Sequence, residues 1–513
     1  MTLDASKVDL VIGVVGTGAM GRGIVQVSAQ GGMQVVCYDD KAGAADAAKA
    51  AIAKTLTGLA EKGRIAQVDA EAAIRRNTIA AGLEEIARAD VIVEAVVERL
   101  DVKQELFAKL DALAGPDTII ASNTSSLPVT AIAAKCQRPE RFAGLHFFNP
   151  VPLMKLVEVI PGLKTAPWVS EALMTVGRRM TREPVLCTDS PGFIVNHIGR
   201  GYVPEGARLV TEGIAKFHEI DRIITGAPGF RMGPFTLLDL VGADVSVSVM
   251  ESFWSQYYAE GMYAPSSILR QRVDAGMYGQ KTGAGWYAYP DGKRQEPELQ
   301  QAPPASGMRP LWIRPSDNNA ELSRTLAAHL TKGFANVENA SAPSADAVIV
   351  LTPVGYDLTT AALDLRLDPA RTVAVDMLFG LKGPRTLMIS PATDPVVRNA
   401  VHAALAADGQ PVVVINDSPG FVAQRIVAHI VNIACQIAQR SIASPCDIDK
   451  GAKLGLAYPY GPLEWGDAIG PKRICAILQR LYEFYGEPRY RPSPWLKRRA
   501  ALGLSLLTPD RAV

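Results

Sequence analysis

The stretch VIGVVGTGAMGRGIVQ, residues 11–26, decides how this chain reads. Leu10 to Val15 is an apolar, β-branched run of the kind buried on both faces of a parallel sheet. Glycines then fall at 16, 18 and 21. Gly16 suits a tight turn, Gly18 removes a Cβ where a pyrophosphate would approach, and Gly21 lets a following helix pack close to the strand. Ile24 to Ala29 continues that helix, whose first N–H groups point at the phosphates, and Gly31-Gly32 stop it. QVVCYDD, residues 34–40, is a second strand and carries Asp39, 23 residues beyond Gly16. A carboxylate there meets ribose hydroxyls and repels a 2′-phosphate, so the expected cofactor is NAD rather than NADP. Three glycines alone are common. Strand, turn, helix, strand and acid in that order are far more specific.

Further strands read at ADVIVEAV (89–96), DTIIASNT (117–124), FAGLHFF (142–148), KLVEVI (155–160) and PVLCTD (184–189). Helices read at Val102 to Leu113 and Ser170 to Met180. The alternation predicts an open, mostly parallel sheet with helices on both faces. Between Asp39 and Asp90 the chain has more helix than one crossover needs, from about Ala44 to Gly63 and from Asp69 to Arg76. A helical hairpin reaching away from the sheet accounts for it and carries Lys49, Lys54 and Lys62.

At 513 residues the chain is long enough for three or four units. With 48% hydrophobic residues and a net charge of +1 it builds a large core and offers no bulk charge for nucleic acid or an anionic membrane. No basic segment precedes a small-residue cleavage site and no apolar run reaches 18 residues, so the expectation is a cytoplasmic protein without a membrane span. The six cysteines (37, 136, 187, 435, 446, 475) form no C-x-x-C, which predicts reduced thiols and no metal.

Sheets of this type bind ligands beyond the carboxyl ends of their strands. Polar residues gather there in SNTSS (122–126), HFFNP (146–150), Glu158 and DSPGFIVNH (189–197). Oxidising an alcohol with NAD needs a base for the hydroxyl proton, and histidine titrates in the right range. Glu158 can fix the tautomer of His146, while Ser125 and Asn196 can hold the substrate oxygen. Taken singly, each has a plain alternative: His146 as a packed core residue, Glu158 at a sheet edge, Asn196 as a helix cap.

Together, VVGTGAMGRGIVQ, ASNTSSLPVT, RFAGLHFFNPVPLMKLVEVI, DSPGFIVNHI and GPFTLLDLVGADV resemble the 3-hydroxyacyl-CoA dehydrogenase family over about residues 8 to 290. The resemblance implies His146 as catalytic base, Glu158 as its orienting partner, and Ser125 and Asn196 on the substrate's 3-oxygen. It implies cofactor contacts at Gly16, Gly18, Ala19, Met20, Gly21, Asp39, Glu98, Lys103 and Asn123. It implies contacts to the acyl-CoA substrate at Lys54, Thr55 and Lys62 of the arm and at Asn149. The family commonly continues PGFIVN with Arg, where this chain has His197. The implied reaction is NAD-dependent oxidation of a short-chain (S)-3-hydroxyacyl-CoA, either 3-hydroxybutyryl-CoA or the 3-hydroxyadipyl-CoA of phenylacetate breakdown, within the β-oxidation type of fatty acid metabolism. A sugar-acid (gulonate-type) dehydrogenase and a non-catalytic structural or NAD-sensing relative are the alternatives.

TDSPGFIVNHI (188–198) recurs as NDSPGFVAQRI (416–426), and GPFTLLDLVG (233–242) recurs as GPLEWGDAIG (461–470), both at an offset of 228. The repeated unit reads as helices at Gly192 to Glu212, Ile220 to Thr225, Pro234 to Tyr257 and Ile268 to Ala275. Before the second copy, residues 310–415 still alternate strand and helix but lack G-x-G-x-x-G, N-T-S-S and H-F-F-N-P. The expected fold class is α/β: an N-terminal Rossmann-type doubly wound sheet, an all-α domain, a reduced Rossmann-like segment without NAD, and a second all-α copy. The expected boundaries are 1–190 with the arm at 44–76, 191–291, a linker at 292–310, 311–415 and 416–513. The family resemblance implies a homodimer; because the second helical copy can cover the same surface in cis, a monomer is the alternative.

Overall fold

The computed structural model describes residues 3–304, 309–314, 320–332 and 336–510. The chain forms two compact units, Met1–His197 with Arg440–Leu456, and Ile198–Gln439 with Ala457–Val513.

The first unit is built on eight strands: β1 (Val11–Val15), β2 (Gln34–Tyr38), β3 (Asn77–Ile79), β4 (Val91–Glu94), β5 (Ile119–Ser122), β6 (Phe142–Phe147), β7 (Leu156–Pro161) and β8 (Glu183–Leu186). Their order is β3-β2-β1-β4-β5-β6-β7-β8, parallel except between β6 and β7. The exception follows from chain length. Only the short stretch between Phe147 and Leu156 joins the two strands, too little for a parallel crossover. The order reverses direction between β1 and β4, which opens a crevice at the carboxyl ends of the strands. Helix α1 (Ala19–Gln30) follows β1, and α2 (Ala44–Glu61) pairs with α3 (Gln67–Arg75) as the expected hairpin. Residues from the far end of the chain complete this unit. Thr188 N–H donates to Ile442 O at 2.8 Å, Cys187 and Ala443 form an antiparallel bridge, and helix Pro445–Gly455 packs on β7 and β8.

The second unit holds a six-stranded sheet: β9 (Leu311–Ile313), β10 (Val337–Glu338), β11 (Val348–Leu351), β12 (Thr372–Val375), β13 (Arg385–Met388) and β14 (Val412–Ile415). Its order is β10-β9-β11-β12-β13-β14, and β12–β13 is antiparallel as β6–β7 is. Most of both helical copies lies in this unit around helix Ala423–Gln439, which is buried on nearly every side, its polar Gln424, Arg425, His429 and Asn432 included. Its one charged residue, Arg425, is paired. Arg425 meets Glu205 at 2.6 Å and Glu212 at 2.7 Å, and Arg489 meets the other oxygen of Glu205 at 3.2 Å.

Some local readings change. The helix expected over Pro234 to Tyr257 is two helices, Pro234–Val241 and Ala243–Gln256, because Gly242 between them takes φ +102°. The helix expected over Gly192 to Glu212 is interrupted by a 3₁₀ turn at Gly199–Gly201. The edge strands β3 and β10, three and two residues long, carry too short a pattern to be read from sequence. Beyond Gly292 the expected linker has no helix or strand among its described residues, and residues 305–308 lie outside them. Among the described residues no helix is long and apolar enough to cross a membrane.

Candidate active site

The glycine turn behaves as its spacing requires. Gly16 takes φ +92°, and a Cβ there would lie 2.7 Å from Ala95 O. A Cβ on Gly21 would lie 1.7 Å from Gly16 O, so α1 packs against the turn only with glycine there. Around Gly18 the reverse holds: no protein atom lies within 4 Å of a Cβ built on it. The chain itself does not require glycine at 18, and the open space there fits a pyrophosphate backed by the N–H groups of Ala19 and Met20. No side chain caps the start of α1. At the end of β2, Asp39 Oδ2 accepts the Thr17 N–H at 2.6 Å and the Thr17 hydroxyl at 2.8 Å. Partial burial alone would raise the Asp39 pKa, but these donors hold it below the usual carboxylate range. The residues present therefore fit a dinucleotide with free ribose hydroxyls.

Beside this turn lies a charge network that runs from the more exposed Glu98 to buried Lys103 and Glu94. Glu98 Oε1 accepts the Thr124 hydroxyl at 2.7 Å, the Ser125 N–H at 2.9 Å and the Ser126 N–H at 3.0 Å, so it shapes the SNTSS loop. Lys103 Nζ lies 3.3 Å from Glu98 Oε2 and 2.6 Å from Glu94 Oε1, and Ser122 Oγ donates to Glu94 Oε2 at 2.6 Å. Burial pushes the Glu98 carboxyl up, and Lys103 with the loop donors more than offsets this. Lys103 is only 1% exposed. Its ammonium is therefore paired with the two carboxylates. Glu94 and Ser122 escaped sequence reasoning. The signal was there: they are register partners at the carboxyl ends of two otherwise apolar strands.

The antiparallel register sets His146 directly opposite Glu158. His146 Nδ1 meets Glu158 Oε2 at 2.6 Å, and both side chains are buried. The other carboxylate oxygen accepts the N–H groups of Ile194 and Val195, each at 3.0 Å. Glu158 is thus held at both ends, and its charge keeps the proton on Nδ1, leaving Nε2 as the basic nitrogen. Phe148 and Phe193 flank the imidazole, with ring centroids at 4.5 and 5.8 Å. Phe193 takes φ +49°, a strained conformation for a non-glycine residue, in the turn that delivers the two amides.

The remaining candidates join this pair unequally. Asn196 follows the amide clamp and its Nδ2 reaches Ser125 O at 3.4 Å, while Asn123 Oδ1 accepts the Phe147 N–H at 2.8 Å. Ser125 and Asn196 are partly exposed. Asn149 is exposed, one residue beyond Phe148. Lys54 and Thr55 lie on the exposed side of α2, away from its buried face of Ala45, Ala48, Ile52 and Leu56, and Lys62 is exposed just past its end. The Thr55 hydroxyl turns back to Ala51 O at 2.9 Å. His197 is fully buried. Among the described residues no three His, Cys, Asp or Glu side chains are grouped to hold a metal.

The second unit repeats the framework with other residues at the matching places. Phe142 pairs with Ile120 in β6 and Thr372 with Ile349 in β12, so counting along the strands puts Asp376 in the place of His146. The offset of 228 puts Thr386 in the place of Glu158 and Gln424 in that of Asn196. Gln424 Nε2 donates to Asp376 Oδ1 at 2.9 Å, and its Oε1 accepts the Gly355 N–H at 2.8 Å. Arg480 stacks 3.9 Å over Tyr356 and its guanidinium donates to Val354 O, closing the same loop from outside. Burial pushes the Asp376 carboxyl up to about 6.

Known proteins resemble this chain along its whole length. Residues 11–190 match the profile of the 3-hydroxyacyl-CoA dehydrogenase NAD binding domain. The 3-hydroxyacyl-CoA dehydrogenase C-terminal domain matches twice, at 192–289 and 420–506, as the internal repeat requires. The 3-hydroxyadipyl-CoA dehydrogenase of Escherichia coli (strain K12) is 36% identical over 494 residues, 96% of this chain and 97% of that one. The human mitochondrial hydroxyacyl-coenzyme A dehydrogenase is 41% identical over 285 residues, 54% of this chain and 90% of its own length. The crystal structure of 3-hydroxybutyryl-CoA dehydrogenase from Escherichia coli K12 substr. MG1655 matches with a TM-score of 0.85 at 34% identity, covering 97% of this chain and 99% of that one.

Proposed function

The chain belongs to the 3-hydroxyacyl-CoA dehydrogenase family, and we propose that it oxidises a short-chain (S)-3-hydroxyacyl-CoA to the 3-ketoacyl-CoA with NAD. The observation that carries this reading is the buried His146–Glu158 pair beside a glycine turn fit for NAD. NAD supplies the hydride acceptor when bound, resting on Gly16, Gly18, Ala19, Met20 and Gly21, with Asp39 on the ribose and Glu98 and Asn123 near the reacting end. His146 takes the substrate's hydroxyl proton at Nε2. Glu158 keeps the opposite ring nitrogen protonated and stabilises the imidazolium that forms. Ser125 and Asn196 hold the 3-oxygen while its charge changes. Lys54, Thr55 and Lys62 meet the CoA phosphates, and Asn149 lies along the same substrate.

The acyl group we favour is 3-hydroxyadipyl, because the relative of that name matches across 96% of this chain. The solved structure of nearly full coverage is titled 3-hydroxybutyryl-CoA dehydrogenase, which supports the shorter monocarboxylic substrate as the second reading. We place the reaction in β-oxidation-type metabolism, with phenylacetate breakdown as the specific setting, and the protein in the cytoplasm as a homodimer. The five sequence segments, with NAD held only by residues 1–190, are part of the same proposal. The deciding experiment compares kcat/KM for 3-hydroxyadipyl-CoA and 3-hydroxybutyryl-CoA with NAD, followed at 340 nm. A clear preference for the dicarboxylate supports the first reading and the reverse supports the second. Turnover of gulonate with silence on both thioesters overturns the proposal.

A further inference from the structure

Glu158 orients His146 only as well as it is itself oriented, and its second oxygen depends on the Ile194 and Val195 amides. The side chains of those two residues press on a helix from the other end of the chain. A Cβ on Gly451 would lie 2.8 Å from Ile194 Cγ2, and one on Gly455 would lie 2.7 Å from Val195 Cγ2 and 3.0 Å from Leu156 Cδ2. Leu156 is two residues before Glu158 on β7. Four residues apart, the two glycines share one face of helix Pro445–Gly455. Neither has a positive φ, so the backbone itself does not ask for glycine. Alanine is the better helix former at both positions. What excludes it is the closeness of the contact. The helix is also anchored: Ile442 O accepts the Thr188 N–H at 2.8 Å, and Ser444 caps the first turn through the Asp447 N–H at 3.1 Å.

We propose that helix Pro445–Gly455 is a positioning element for the catalytic pair, and that Gly451 and Gly455 are positioning residues whose missing side chains let the amide clamp close on Glu158. The proposal rests on the dehydrogenase reading of His146 given above. It also assigns a catalytic consequence to the second half of a chain whose own sheet lacks reactive residues. The second unit carries a similar but not equivalent contact as an internal control, since the offset of 228 puts Ile223 and Ala227 at the places of Gly451 and Gly455. Asn416 N–H donates to Ile214 O at 2.9 Å, and a Cβ on Gly226, the last residue of helix Phe217–Gly226, would lie 2.3 Å from Pro384 Cδ. That contact presses on a strand pair bearing Asp376 and Thr386, where no base needs orienting.

The test is Gly455→Ala in the full-length chain, alone and with Val195→Ala, which removes the crowded methyls and keeps the amide. We expect kcat to fall about tenfold, inside the ~10²-fold that a 1 Å displacement costs, with KM for NAD and acyl-CoA changed less than about twofold. The double variant should recover most of the loss. In the cofactor-free protein the far-downfield imidazole proton of His146, assigned by its loss in His146→Gln, should move in Gly455→Ala and return in the double variant. If Gly455→Ala does not fold, Gly451→Ala with Ile194→Ala replaces it. Gly226→Ala should leave that resonance in place whatever it does to Tm. A folded Gly455→Ala with the wild-type kcat and an unmoved resonance overturns the proposal, and so does a loss that the double variant leaves unrelieved. A wild-type chain that turns over no 3-hydroxyacyl-CoA overturns the functional reading instead, and the resonance still reports on the positioning.

Discussion

The turn Asp189-Ser190-Pro191-Gly192-Phe193 in the first unit and Asp417-Ser418-Pro419-Gly420-Phe421 in the second are built alike and used differently. Gly192 and Gly420 take φ +74° and +72°, and Phe193 and Phe421 both take φ +49°. Asp189 accepts the Val129 and Thr130 amides at 2.9 and 2.7 Å, and Asp417 accepts those of Leu358 and Thr359 at 2.6 and 3.0 Å. The strained turn therefore belongs to the fold. What distinguishes the halves is what the turn delivers. In the first, two backbone amides clamp Glu158 against His146. In the second, Gln424, at the place of Asn196, bonds Asp376 at 2.9 Å. The two halves share the turn, but where the first has the His146–Glu158 pair the second has Asp376 and Thr386, so substitutions at the two places can be compared in one chain.

Substitution at the base should break the symmetry most. His146→Gln should lower kcat by ~10²–10⁴-fold with NAD affinity preserved, read by initial rates and by titration. Glu158→Gln should cost roughly 10²-fold in kcat, since a lost carboxylate frees the imidazole to take the wrong tautomer. Thr386→Val, at the matching place in the second unit, should leave kcat at the wild-type value.

Asp376→Asn sharpens the contrast through stability. A carboxyl whose pKa is raised on folding, here to about 6, binds its proton more tightly folded than unfolded. It therefore costs stability progressively as pH climbs from about 4 to 6, and the full cost remains above that. An amide can accept the same Gln424 and Leu378 donors without the charge. The variant should gain roughly 1–3 kcal/mol near pH 7.5 and nothing near pH 3.5, measured as Tm, with kcat unchanged. The smallest effects belong to the exposed arm. Lys54→Ala or Lys62→Ala should raise KM for the CoA ester about two- to fivefold at low ionic strength, an effect that fades with added salt.

The two centres were not equally legible in the sequence. Gly16, Gly18, Gly21 and Asp39 follow from spacing, because the turn and the ribose distance are set locally. His146 and Glu158 were legible through the family resemblance, because singly each had a plain alternative; the antiparallel register that sets them opposite each other was not read from the sequence. Lys103 and Glu98 were named through the same resemblance, but the burial of Lys103 was not legible, since a lysine on a helix reads as exposed unless its partners are known, and Glu94 and Glu98 meet it only through the folded sheet. The break at Gly242 was hidden because its flanks are both good helix formers. Nor does periodicity show that residues 440–456 complete the first unit, because a contact made across more than two hundred residues leaves no local pattern.

Calorimetric titration with NADH tests the central claim, one reacting centre in a twofold-repeated chain, most directly. Wild-type chain should bind one NADH. Gly18→Val, where no protein atom lies within 4 Å of the added Cβ, should fold with the wild-type Tm and bind none. Two NADH per chain, or one retained by Gly18→Val, would contradict the account.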